Sequence, residues 1–130
     1  MSGAGVASAL TGLLLYAASP ASAARAEAET VAWGKYVDWA GSMYFESYGD
    51  HFGVCDNKAD AAGAIGYWKV GSGGTEHPIY DGNGAGNCEY EDHNVSETST
   101  VYIRVCIRDD GVVKWDTCSA WEHQYAGSPL

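Results

Sequence analysis

Thr98-Ser99-Thr100-Val101-Tyr102-Ile103-Arg104-Val105-Cys106-Ile107-Arg108 decides the fold class. Val101, Ile103, Val105 and Ile107 fall on one side of an extended chain, and Tyr102, Arg104, Cys106 and Arg108 fall on the other. Successive β side chains point to opposite faces, so this alternation of β-branched and polar residues predicts a half-buried strand. Asp109-Asp110-Gly111 ends it and Asn94 to Glu97 turns before it. The same period recurs outward from this stretch. Ser42 to Tyr48 and His51 to Cys55 read as a tight hairpin about Gly49-Asp50, with Phe52 and Val54 inward. Ala64 to Val70 places Trp68 and Val70 on one face and Ile65 and Tyr67 on the other. Ile79-Tyr80, Cys88 to His93 and Cys118 to Ala126 supply shorter pieces, separated by Gly-, Asn- and Asp-rich turns. No segment carries a long helical period. The expectation is an all-β domain, a small disulfide-stapled β-sandwich of about six or seven strands with Greek-key-like connections.

Four cysteines permit three pairings. Placing Cys106 opposite Cys118 sets Ile103 opposite Trp121, Val101 opposite His123, Arg104 opposite Ala120 and Tyr102 opposite Glu122. That register keeps apolar partners on one face, whereas a slip of one residue exchanges the faces. It supports Cys106–Cys118 and leaves Cys55–Cys88. Each closure is worth about 3 to 4 kcal/mol in the chain-entropy model. No pair of cysteines has the C-x-x-C spacing of a structural zinc site, and no metal is expected.

The chain has 130 residues, and the first 23 carry no charged side chain. The apolar run Leu13 to Ala18, the Ser19-Pro20 break and Ala21-Ser22-Ala23 read as a signal peptide over residues 1–23, cleaved before Ala24. No Lys or Arg precedes the run, so either the leader is a weak one or translation starts upstream of Met1. A membrane anchor is the competing reading of Ser2 to Ala24; Pro20 and the many Ala, Gly and Ser residues favour cleavage. Export places the cysteines in an oxidising compartment, and the expected location is secreted. Residues 24–41 read as an N-terminal arm, with Arg25 to Thr30 flexible and Trp33, Tyr36 and Trp39 on one helical turn. Residues 42–126 form the single domain and 127–130 a tail. Seventeen Asp and Glu against 7 Lys and Arg give a net charge of −10, which disfavours nucleic acid and anionic membranes as partners.

Candidate chemistry is sparse. Asp81 to Asp92 approaches a calcium loop, with Asp81, Asn83, Gly86, Glu89 and Asp92 at suitable positions, but Ala85 offers no side-chain oxygen. No nucleophile motif or cofactor motif is present, so no catalytic residue and no cofactor is expected, and the chain is read as not an enzyme. Aromatic residues are the richer signal. All 5 Trp and all but one of the 9 Tyr follow the leader, while Leu130 is the only Leu after Leu15. Trp68, Trp121 and Phe45 are expected to fill much of the core. Tyr44, Glu46 and Tyr48 share one face of the first strand, and Tyr102 stands beside Arg104 on the outer face of the longest one. Tyr44, Tyr48 and Tyr102 are therefore the candidate ligand-binding residues.

Ser47 to Asp60, Arg104-Val105-Cys106 and Cys118-Ser119-Ala120-Trp121 resemble stretches of small secreted proteins of actinobacteria such as Streptomyces. The resemblance covers about Ser42 to Ala126. It implies export and a disulfide-stapled β-domain, and no activity. The functional expectation is a secreted, non-catalytic binding domain whose partner is an extracellular protein or polysaccharide. The alternatives are an inhibitor of a secreted hydrolase, using the Gly71 to Pro78 loop, and a carbohydrate-binding module.

Overall fold

The computed structural model describes residues 24–127; residues 1–23, where the signal peptide is expected, and the last three residues lie outside the described ones. Among the described residues, nine strands form two antiparallel sheets. The first sheet runs β1 (Arg25–Glu29), β2 (Gly41–Glu46), β3 (His51–Asp56) and β6 (Cys88–Asp92). The second runs β5 (His77–Asp81), β4 (Gly63–Val70) and β7 (Thr100–Asp109), with β8 (Val112–Lys114) and β9 (Glu122–Tyr125) both paired to β7. The chain leaves the first sheet after β3, makes the β4–β5 hairpin in the second, and returns as β6 beside β3. This is the Greek-key-like sandwich expected for the alternating pattern. No helix among the described residues is long and apolar enough to cross a membrane.

The inner faces meet as the alternation dictates. Met43, Phe45, Phe52 and Val54 from the first sheet pack against Ala64, Trp68, Ile79, Val101, Ile103 and Val105 from the second. Aromatic volume does the work that Leu does elsewhere: the Phe52 ring lies 4.9 Å from Phe45 and 4.8 Å from Trp68. Gly66 faces Met43 and Val54 so closely that a Cβ would collide with both. The missing side chain lets the two sheets approach there. Phe52 and Val54 point inward and Trp68 stands opposite Tyr67, as the period predicts.

Both disulfides form as expected, Cys55–Cys88 and Cys106–Cys118. Two stapled cystines fit an oxidising, extracellular-type compartment. The predicted register, however, holds for only part of β9's approach. Ser119 lies opposite Val105, where its N–H donates to the Val105 carbonyl and its Oγ accepts the Val105 N–H. Beyond that point Ile103 pairs with Glu122, Tyr102 with His123 and Val101 with Gln124, one residue off the expected partners. The extra residue is absorbed opposite Arg104, at Ala120-Trp121, in the manner of a β-bulge. The bulge turns Trp121 out of the core, where it was expected, and onto the outer face.

Two N-terminal expectations are also corrected. Arg25 to Thr30 is not a flexible arm. Arg25–Glu29 is an edge strand in register with Ser42 to Glu46, with Ala26 and Ala28 buried and Arg25, Glu27 and Glu29 exposed. The sandwich therefore begins at β1 and not at residue 42. Trp33, Tyr36 and Trp39 do not share a helical turn. Trp33 and Tyr36 exchange two backbone hydrogen bonds of 3.0 Å across a tight turn containing Gly34. Tyr36 drops inward onto Ala40, Ala62 and Ile107, while Trp33 and Trp39 stay exposed.

Tyr36 ties this segment to the end of β7: its hydroxyl donates to Asp109 Oδ2 at 2.5 Å. That bond, reinforced by burial and the Asp109 charge, pushes the Tyr36 phenol up to about 12. The same bond, helped by Lys35, holds the Asp109 carboxyl below the usual carboxylate range. The proton is bound more tightly in the folded state, so the contribution of Tyr36 is complete below its ordinary value near 10. It is lost as pH rises through about 12. The Asp109 contribution has the opposite sense: it is present above the ordinary carboxylate value and lost as pH falls through the lowered one. Phenolate absorbance should therefore show one tyrosine ionising last, near pH 12, and Tyr36→Phe should remove that final step.

Candidate functional site

The three tyrosines selected from sequence do not converge. β2 ends at Glu46, so Tyr48 sits in the following turn, fully projecting, and not on the strand face with Tyr44. Tyr44 is half-buried on the outer face of the first sheet. Its ring lies over Gly53, where a Cβ would strike it, and beneath the Arg25 guanidinium at 3.9 Å. Burial raises the Tyr44 phenol, and Arg25 opposes that rise. Tyr102 belongs to the second sheet and faces the opposite side of the sandwich.

Tyr102 does lead to the most extensive aromatic array in the molecule. In β4 and β7 the residues that alternate with the core ones are Gly63, Ile65, Tyr67 and Lys69, and Tyr102, Arg104, Cys106 and Arg108. Tyr67 lies opposite Arg104, and Lys69 opposite Tyr102. Trp115, on a single 3-10 turn (Trp115–Thr117) after β8, stacks on Tyr67 at 5.8 Å between centroids with 22° between planes. The Arg104 guanidinium lies 5.4 Å from the Trp115 ring, 5.8 Å from Tyr67 and 4.7 Å from Trp121. Lys69 continues the row, 4.2 Å from Trp121 and 5.8 Å from Tyr102, and Tyr102 meets His123 at 5.3 Å. At the other end Arg108 stands 4.3 Å over Tyr80. The sequence is thus ring, cation, ring, cation along one face.

Local chemistry fixes this row. The Cys106–Cys118 bond anchors the turn that carries Trp115 to β7. Buried Thr117 does the same, accepting the Ile107 N–H at 2.9 Å and donating to the Lys114 carbonyl. The bulge at Ala120-Trp121 aims the second indole at Arg104. Cation–π contact with these partly exposed rings then helps to hold the guanidinium, at about 0.5 to 1 kcal/mol each. Glu76 approaches Arg104 at 3.6 Å, while the buried Arg104 Nε has no hydrogen-bond partner among the described residues. Burial raises the Tyr67 phenol, with Arg104 opposing it. The alternation in sequence puts Tyr102, Arg104 and Arg108 on one face of β7 and Tyr67 on the face of β4 away from Trp68. The same alternation leaves Trp115 in a connection and Trp121 in the core, because neither the 3-10 turn nor the bulge leaves a period-two signature.

Two further hollows are small. One of about 200 Å³ lies among Asp56, Lys58, Ala62 and Tyr80, and one of about 220 Å³ among Arg25, Glu29, Trp39 and Tyr44. Ligand pockets generally begin at about 300 Å³. The suggested calcium loop is built differently from a metal site. Asp81 is fully buried, and its two oxygens accept the backbone N–H groups of Asp56 and Asn83. Burial, with Asp60 and Asp81 close by, raises the Asp56 carboxyl. Comparison with known proteins finds no matching family model, no similar curated protein and no similar solved structure.

Proposed function

We propose that this protein is a secreted, non-catalytic binding domain that engages an extracellular polysaccharide through the outer face of its five-stranded sheet. The observation that carries this reading is the rigid ring platform of Tyr67, Trp115, Trp121 and Tyr102, braced by Arg104 and a disulfide. Trp115 remains 57% exposed despite being locked against Tyr67, so its outer face is free to stack. Large rigid aromatics lose little entropy on binding and present a flat apolar surface with polar edges, which suits sugar rings. A strand-borne platform also holds its geometry better than a loop would.

The test is affinity electrophoresis in native gels carrying soluble polysaccharides, neutral and acidic. The wild-type protein should be retarded by at least one of them. Trp115→Ala should lose about tenfold or more in affinity, as central aromatic anchors do, with an unchanged melting temperature. A Trp115→Ala protein that is retarded as strongly as wild type would contradict the reading.

A further inference from the structure

The two outer faces of the sandwich are electrically opposite. Outward positions of the first sheet carry Glu27, Glu29, Glu46 and Asp92, alongside Arg25, which pairs with Glu27. Outward positions of the second sheet carry no carboxylate, and they hold Lys69, Arg104 and Arg108. That is three of the 7 basic residues of a chain with 17 acidic ones. Among the described residues, the one carboxylate in ion-pair contact with them is Glu76, from the loop before β5. Chance placement in so acidic a protein would scatter carboxylates over both faces.

Resting on the binding face proposed above, we infer that its ligand is an acidic glycan, one whose sugar rings bear carboxylates at intervals. The rings stack on Trp115, Tyr67 and Trp121, and the carboxylates meet Lys69 and Arg108, with Arg104 holding the platform between them. Spacing separates this ligand from a duplex nucleic acid. Arg108, Arg104 and the Tyr102 level occupied by Lys69 lie on one side of β7, so the cations span roughly 20 Å at about 3.4 Å per residue. Neighbouring charges are then about 7 to 13 Å apart, with rings between them. Duplex nucleic acid carries a phosphate about every 3.4 Å of axis on each strand, and most of those charges would face the acidic remainder of the protein unpaired. A polymer of stackable rings with sparser charge matches the row.

The experiment uses the leaderless chain against polygalacturonate, dextran and poly(dT). Polygalacturonate should bind best, with affinity falling several-fold as salt rises from about 50 to about 200 mM. A Lys69→Gln, Arg108→Gln double variant should bind it about five-fold more weakly at low salt, since each exposed pair is worth only a fraction of a decade. Its melting temperature should match wild type. The wild-type salt series gives an answer independent of the variant. Equal, salt-insensitive retention on dextran that Trp115→Ala abolishes would overturn the acidic-glycan inference while leaving the binding face intact. Tighter binding to poly(dT) would overturn it as well. Retention on none of the three would overturn the inference, and if no other polysaccharide retards the protein, the binding face falls with it.

Discussion

Replacing Cys55 and Cys88 together by Ala should lower the melting temperature by about 15 °C or more. The bond closes a separation of 33 residues, which the chain-entropy relation values at about 3.7 kcal/mol. For a domain near 100 residues each kcal/mol moves the midpoint by about 4 to 8 °C. Its position increases the dependence. β6 is an edge strand whose five residues are all at least partly exposed, and its sheet partner is β3 alone. Cys55 pairs with Cys88 at the end of that ladder, so the bond ties down the strand that completes the Greek-key return. The Cys106–Cys118 separation is 12 residues and corresponds to about 2.8 kcal/mol, a smaller shift. Thermal unfolding followed by circular dichroism should therefore rank the Cys55/Cys88 variant below the Cys106/Cys118 variant. The reverse order would mean that β6 is held by contacts other than its staple.

Phe52→Ala should cost about 3 to 5 kcal/mol, the range for emptying a buried aromatic site. Phe52 is completely buried and joins the two sheets, touching Phe45 within its own sheet and Trp68 across the interface. His93 packs edge-on against it at 5.6 Å. Neighbours on strands tied by backbone ladders and by a disulfide cannot collapse into the void, so the cavity term stays near its upper range. Urea unfolding should show a lower midpoint with an unchanged slope, since the surface exposed on unfolding hardly alters. Phe52→Leu should lose much less. A loss below about 1 kcal/mol for Phe52→Ala would show that the core repacks freely at this point.

The sequence was most legible where one residue type per face was repeated. β7 announced itself through four β-branched residues, and its inward set is the buried one. The cysteine pairing followed because a staple constrains register only near itself. The bulge then displaced every later partner by one, and nothing in Ala120-Trp121 marks an inserted residue by type. β1 has the same alternation as β7, but its inward residues are Ala26 and Ala28. Small side chains with low β-propensity blur the contrast between faces, so an edge strand resembled a polar arm. Short β8 carries too few residues for a period. The proposed binding face was legible through Tyr102, Arg104 and Arg108 on one strand and Tyr67 on another, but not as one site. Its other members reach it from the β4 strand, a 3-10 turn and a bulge, and only tertiary packing brings these together.

The central claim, that the outer face of the five-stranded sheet is the ligand face, is most directly tested by the indole N–H resonances. The 5 Trp sample distinct places: Trp115 and Trp121 on that face, Trp68 in the core, Trp33 and Trp39 at the exposed turns before β2. In a titration with oligogalacturonate, the Trp115 and Trp121 resonances should shift in step and saturate together. Trp33, Trp39 and Trp68 should stay in place. A titration in which Trp33 or Trp39 moves while Trp115 and Trp121 remain still would contradict the account.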